Sequence, residues 1–325
     1  MADVTAAPAS RATDWVRRTW RQNLIYIGFV AIFLFFAATL HDRGFLDPNN
    51  ILNIARQTSM IAIMAVAMTF VLSAGEIDLS VGAVAGLSSV TTALAIAWGG
   101  PFAGVSAGLA TGLCVGLVNG FLSTRLAIPT FLTTLAMMGI AKGAAMWISD
   151  TAAIPIISQR YASVFGGGNL GPLPSLLIWM VAAGLAGHIL LRRTKFGRQI
   201  LAVGGNVVAA RYSGVRTDRI KVAVIIISSV TAALAGMLYA GRLQSGRFQL
   251  GEGDELSVIA AAVLGGTSLF GGRGTVIGSI MGALMIGVIN NGLILMGLDY
   301  SQQLIARGGI IILAVAVSQI GVRSR

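Results

Sequence analysis

Charged residues are scarce in this chain: Asp, Glu, Lys and Arg together make up 11% of its 325 positions. Soluble domains carry about 25%, so a water-facing surface cannot be built from this pool, and a soluble enzyme or binding module is excluded. There is one cysteine, Cys114, in an apolar stretch, which rules out a disulfide framework and a thiolate metal cluster. The two histidines, His41 and His188, stand too far apart for a local metal motif, so no metal site is read. No Gly-x-x-x-x-Gly-Lys-[Ser/Thr] phosphate loop occurs. The nearest glycine-rich run, Gly271-Gly272-Arg273-Gly274, lacks the lysine, follows an apolar span and reads as a tight turn.

What is present is apolar: 55% hydrophobic residues, a mean hydropathy of +0.82 and 42 glycines. Small residues let helix backbones approach closely in a membrane bundle. The net charge of +11 does not point to nucleic acid, because the basic residues cluster in short segments between apolar runs. Cytoplasmic loops of membrane proteins carry their lysines and arginines in this way.

Ten apolar segments are expected to cross the membrane, at roughly 24–40, 51–72, 81–98, 102–122, 128–148, 175–191, 220–240, 256–271, 275–297 and 301–320. Residues 1–23 are polar and basic (Arg11, Arg17, Arg18, Arg21) and lead into a run of spanning length. This predicts an uncleaved first helix with a cytoplasmic N-terminus rather than a signal peptide. Alternation then puts Arg125, the segment 192–219, Arg273 and the tail residues Arg323 and Arg325 inside. Asp42, Asp47, Asp150, Glu252, Asp254, Glu255 and Asp299 fall outside. The expected layout is a cytoplasmic tail over 1–23, a transmembrane domain over 24–320 and a short cytoplasmic tail over 321–325.

An internal repeat runs through these spans. Gly104, Gly108, Gly112, Gly116 and Gly120 form a ladder ending in Asn119-Gly120, and Gly274, Gly278 and Gly282 form a second that leads to Asn290-Asn291-Gly292. Asp78-Leu79-Ser80-Val81 precedes the first and Glu255-Leu256-Ser257-Val258 the second. The halves, about 50–148 and 220–320, would enter the membrane from opposite sides, an inverted repeat of the kind transporters use.

Two polar stretches interrupt the apolar pattern. Gly75-Glu76-Ile77-Asp78-Leu79-Ser80-Val81-Gly82 places two carboxylates between spans, where charge is costly. Gly75 and Gly82 flank a segment free to leave helical geometry, and Asp78 or Ser80 can cap the next helix. A capped turn at the membrane edge accounts for it equally well. No nucleophile or metal ligands accompany the acids, so acid–base catalysis lacks its apparatus. The segment 192–219 carries Gly204-Gly205, a cap at Asn206, a two-turn helix over 207–213 with Ala209 and Ala210, and a stop at Gly214. A short exposed helix with a small-residue face and a basic flank looks like a docking element.

Thr194-Lys195-Phe196-Gly197-Arg198, Ala202-Val203-Gly204-Gly205-Asn206, Ala209-Ala210 and Gly214-Val215 closely resemble the coupling segment of monosaccharide ABC permeases. So do Gly75–Gly82 and the run from Ile259 to Gly274. The likeness, to ribose-, xylose-, galactofuranose- and autoinducer-2-type permeases, covers about residues 45–320. It implies an all-α polytopic fold of about ten transmembrane helices, a type II-like ABC importer permease in a bacterial inner membrane, paired with a second copy or a homologous permease. It implies three further things: a separate cytoplasmic ATPase that holds ATP and Mg, so that this chain carries no cofactor; a periplasmic sugar-binding protein; and coupling through Gly205, Asn206, Ala209, Ala210, Arg211 and Gly214. Asn119, Asn290, Asn291 and Ser80 are the candidates for the substrate pathway, with hydrogen bonding to neighbouring helices as the alternative for the amides. Gly75, Glu76, Asp78 and Gly82 form the broken-helix element. Arg242, Arg247, Glu252 and Asp254 are candidates for docking the binding protein, or a solvated loop. Lys142 and Arg307 either pair with carboxylates or snorkel. A branched-chain amino-acid permease, a polyol or autoinducer-2 substrate, and an ATP-independent channel or carrier stay open.

Overall fold

The computed structural model describes residues 25–299, 301–306, 308–309 and 312; both expected tails, most of the expected last span and Arg307 lie outside the described residues. The described chain is predominantly helical. In order it forms α1 (Ile25–Thr39), a 3-10 turn (His41–Arg43), α2 (Pro48–Ser73), α3 (Val81–Arg125), α4 (Thr130–Ser149), β1 (Ile154–Pro155) and α5 (Gln159–Val164). There follow β2 (Asn169–Leu170), β3 (Leu173–Pro174), α6 (Ser175–Arg193), α7 (Lys195–Gly205), α8 (Val207–Tyr212), α9 (Thr217–Leu243), β4 (Ser245–Gly246), α10 (Asp254–Leu264) and α11 (Val276–Leu295). The strands are two-residue antiparallel pairs, β1 with β4 and β2 with β3, a small departure from an all-α chain.

Six of these helices, α2, α3, α4, α6, α9 and α11, are long and apolar enough to cross a membrane. The two expected spans over 81–122 are the two arms of α3, which folds at Gly100 (φ 73°, ψ −171°) just before Pro101. Glycine reaches that conformation without a Cβ penalty, and proline opens a helix readily because it needs no amide hydrogen bond there. The expected span over 256–271 is not a continuous helix. α10 stops at Leu264, and the chain turns through Gly265 and Gly266 (φ 89°). Its 11 residues reach only about 16 Å, roughly half the hydrocarbon thickness.

α9 is clamped between the arms of α3. At Gly236 a Cβ would strike the Ala85 carbonyl of the first arm, and the Ser88 hydroxyl donates to the Ala233 carbonyl at 2.9 Å. The second arm lays its glycine ladder on the same helix. A Cβ at Gly112 would meet Ala233 and the Ser229 carbonyl, one at Gly116 the Ile226 backbone, and one at Gly120 the Val222 side chain. α11 repeats the device: Gly278 and Gly282 lie on the Gly265 and Ala261 carbonyls, and Gly287 on Thr58 of α2. A buried hydroxyl pair, Thr69–Ser279 at 2.6 Å, fastens α2 to α11. α9 therefore packs on the ladder of the second arm of α3, and α2 on that of α11. One buried core gathers residues of α2, α3, α9 and α10, including Met64, Phe70, Val84, Ala233 and Ala261. Against the last turns of α9, Tyr161 of α5 stacks on Phe165 at 4.8 Å and donates to the Met237 carbonyl at 2.8 Å. Burial there raises its phenol above the ordinary range.

Small residues set the distance between these helices, so position decides the effect of adding side chain. Gly112→Val should lower the stability of the purified chain by about 1–3 kcal/mol. Gly139→Val, where the added Cβ meets nothing within 4 Å, should leave the detergent-solubilised melting temperature nearly unchanged. Equal melting curves for the two variants would refute this account of the ladder.

Candidate transport core and coupling elements

The link between α2 and α3 is the first break in helical geometry. α2 ends at Ser73, and Gly75 (φ 80°) turns the chain. Glu76 then pairs with Lys221 in the first turn of α9 at 2.5 Å; the two side chains are 11% and 31% exposed. Thr134 of α4 holds the next residues, accepting from the Leu79 amide at 3.2 Å and donating to the Ile77 carbonyl at 3.3 Å. Asp78 is fully buried. Its Oδ1 accepts from the Ser80 amide at 2.9 Å and from the Ser80 hydroxyl at 2.6 Å. The expected cap is therefore made differently: the Ser80 hydroxyl goes to Asp78 and forms no side-chain cap on α3. Asn119, on the second arm of α3, donates to Ser80 at 3.3 Å, which brings two pathway candidates together.

The second break, residues 244–253, runs along the first arm of α3. The Ser89 hydroxyl donates to the Arg247 carbonyl at 2.9 Å, and a Cβ at Gly86 or Gly82 would strike the carbonyls of Phe248 or Gly251. This close approach explains why Gly82 is glycine. It also carries two of the docking candidates onto this chain's own helices. Glu252 pairs with Lys142 of α4, and Asp254 accepts from Tyr239 of α9 at 2.6 Å. Arg247 stays exposed, its guanidinium donating to Ser245 at 3.1 Å. Arg242 turns instead into a cavity of about 240 Å³ with Asn53, Arg56, Asn169 and glycines 166–168. Two guanidiniums share this cavity, and among the described residues neither has a carboxylate partner. Arg56 sits in a helical run with no local motif, so no signal in the chain marks it.

The remaining asparagines divide. Asn291 and Asn50 exchange amide hydrogen bonds at 2.8 and 3.0 Å, tying α11 to the start of α2. Asn290 is half-buried on α11. Asn291 is thereby held at the opposite end of α2 from the Asp78–Ser80–Asn119 group. His188 is half-buried on α6, and no group of three or more His, Cys, Asp or Glu gathers among the described residues.

At the end of the bundle where α2 stops, α7 and α8 fold back against it. Thr194 caps α7 through the Gly197 amide at 3.1 Å, and Asn206 caps α8 through the Ala209 amide at 2.9 Å. α8 is terminated at Gly214 (φ 82°), with the Val215 amide donating to Ala210 at 3.0 Å. Of the two alanines only Ala210 is buried; Ala209 faces out beside Val208 and Tyr212, which are 59% and 90% exposed. Arg211 reaches back to Asp218 at 3.6 Å and to Thr217 at 3.2 Å, bracing α8 against the start of α9. The tight glycine is Gly204 rather than Gly205. A Cβ at Gly204 would strike the Ser73 carbonyl and the Gly272 amide, while Gly205 has room. Gly272 in turn donates to the Ser73 carbonyl at 3.0 Å. One knot of backbone thus joins α7, the end of α2 and the turn into α11.

A bundle of span-length helices with two non-helical links and a short capped helix at one end describes a polytopic membrane protein. The chain belongs to the family described as branched-chain amino acid transport system / permease component, whose model matches residues 50–315. It is 40% identical to a ribose import permease protein of Bacillus subtilis, over 90% of this chain and 91% of that one. It is 37% identical to an L-arabinose ABC transporter permease protein of Azospirillum brasilense, over 98% and 93%. A xylose transport system permease protein of Escherichia coli is 33% identical over 95% of each chain. No solved structure matches.

The Glu76–Lys221 pair should behave as a partly buried ion pair. Glu76→Gln or Lys221→Met alone should each cost about 1–3 kcal/mol by leaving one charge unpaired. The double variant should be less destabilised than the sum of the two, a coupling that a thermal-melt double-mutant cycle reads directly.

Proposed function

We propose that the chain is the membrane-spanning permease subunit of an ATP-driven ABC importer for a monosaccharide. The observation that carries this reading is near-full-length likeness to permeases named for ribose, arabinose and xylose. The family description speaks of branched-chain amino acids, but individual relatives that cover 90–98% of this chain are named for sugars. Uptake of labelled ribose, arabinose and xylose by cells carrying this chain with its genomic neighbours tests the reading. Uptake of leucine with no sugar uptake would overturn it.

In this reading the chain lies in a bacterial inner membrane with ten spans, over 24–320, and both tails cytoplasmic. The halves at about 50–148 and 220–320 form an inverted repeat, supported by the reciprocal packing of α2 on α11 and of α9 on the second arm of α3. Two copies, or this chain and a homologue, enclose the pathway. Asn119 and Ser80, joined by a hydrogen bond and fully buried within this chain, brace it from behind, and the half-buried Asn290 lines it. Asn291, engaged with Asn50, belongs to the helix packing. ATP and Mg are held by a separate cytoplasmic ATPase, and a periplasmic binding protein delivers sugar.

The segment 192–219 faces the ATPase. Its outward contact surface is Val208, Ala209 and Tyr212, while Ala210, Gly204 and Gly214 hold that surface to the bundle. Ala209→Glu should leave insertion and melting temperature intact and reduce both sugar uptake and sugar-stimulated ATP hydrolysis by at least about tenfold. Ala210→Glu should instead lower the melting temperature, because a buried carboxylate replaces a methyl group. Normal coupled hydrolysis with Ala209→Glu would remove the assignment.

The outer face then carries the Arg56–Arg242 cavity and the exposed Arg247. With Glu252 and Asp254 held by Lys142 and Tyr239, the cationic groups are those left to meet an acidic partner surface. Reversing Arg242 and Arg247 to Glu should weaken docking of the binding protein by about tenfold at low ionic strength and by less at high salt. Unchanged docking in the double reversal would discard this surface.

A further inference from the structure

The Asp78 group contains more acceptor oxygen than its neighbours can satisfy. Asp78 Oδ2 and Asn119 Oδ1 are both buried and without a close hydrogen-bond partner. The Ser228 hydroxyl faces the same carboxyl from α9 and can turn its one proton to it, which still leaves the Asn119 oxygen unfilled. The orientation of the Asn119 amide follows from the chain of donors. Ser80 gives its only hydroxyl proton to Asp78, so it can only accept from Asn119. That pins the amide nitrogen on Ser80 and leaves Oδ1 as an unfilled acceptor. The charge is uncompensated as well. Among the described residues no Lys, Arg or His lies within ion-pair distance of Asp78, because the nearby Lys221 is taken by Glu76. A lone carboxylate inside a membrane bundle is costly unless something neutralises it.

We propose that Asp78, Ser80, Asn119 and Ser228 form a binding site for a hard monovalent cation, sodium or potassium. The donor set suits such an ion: one carboxylate oxygen, one amide oxygen and two hydroxyl oxygens, with no nitrogen or sulfur ligand. The placement suits it too, since an unwound link between helices supplies the carboxylate, and transporters hold coupling ions at such breaks. The ion would bridge the 74–80 link, the second arm of α3 and α9, three elements from both halves of the bundle. Glu76 takes no part in it.

The full chain in nanodiscs, with radioactive sodium and with rubidium as the potassium probe, provides the test. Wild type should bind one of the two saturably and melt roughly 5–10 °C higher in that chloride than in choline chloride of equal ionic strength. Asp78→Asn should abolish both effects, and the milder Ser228→Ala should weaken binding by about tenfold. Glu252→Gln, which removes an acid held by Lys142 of α4, should bind as wild type does. Absence of saturable binding, binding that survives in Asp78→Asn, or stability that follows pH and ignores the cation would each overturn the proposal, the last in favour of a protonated carboxyl.

Discussion

Backbone-to-backbone approach through glycine is the constraint on which the rest of this bundle depends. Within a membrane, helices gain little from hiding apolar surface from lipid, and association rests on close packing and polar contacts. Here the approach is close enough that side chains are excluded outright at Gly112 and Gly116 on α9, at Gly278 and Gly282 on α10, and at Gly204 on Ser73. Once the backbones are that close, short polar groups can reach across. Ser88 to the Ala233 carbonyl and Thr69 to Ser279 are contacts of this kind.

The same closeness makes the two helix breaks tolerable. Non-helical backbone at membrane depth has to find partners inside the protein. In the 74–80 link Thr134 and the Asp78 carboxylate take up backbone groups, while Asn119 and Lys221 hold the side chains of Ser80 and Glu76. In the 244–253 link Ser89 takes up the backbone of Arg247, and Lys142 holds Glu252. The Gly204–Ser73–Gly272 knot adds the projecting α7–α8 hairpin to this network. α7, the end of α2 and the turn into α11 are thus joined through backbone rather than through flexible side chains.

Polar residues in such a bundle divide into those that close contacts within it and those left over. Asn291 is fully used by Asn50, and Glu252 and Asp254 by Lys142 and Tyr239. Arg56 and Arg242, which share one cavity, have no carboxylate partner among the described residues, and Asp78 Oδ2 and Asn119 Oδ1 stand without hydrogen-bond partners in the core.

Much of this was legible in the chain. Composition and the spacing of apolar runs determined a helical membrane protein, because burial in lipid depends on run length and charge density, both local quantities. The glycine ladders, the Asn206 cap and the Gly214 stop were readable for the same reason: each acts within a few residues of its position. Tertiary structure alone decided what those features meet. Gly204 and Gly205 are identical in sequence terms, yet only Gly204 touches Ser73; Ala209 and Ala210 are neighbours, yet they face opposite ways. Ser228, Lys221 and Arg56 gained their significance from partners 150, 145 and 113 residues away, at Asp78, Glu76 and Asn169. No local pattern encodes such pairings, because they are set by how segments distant in the chain pack together.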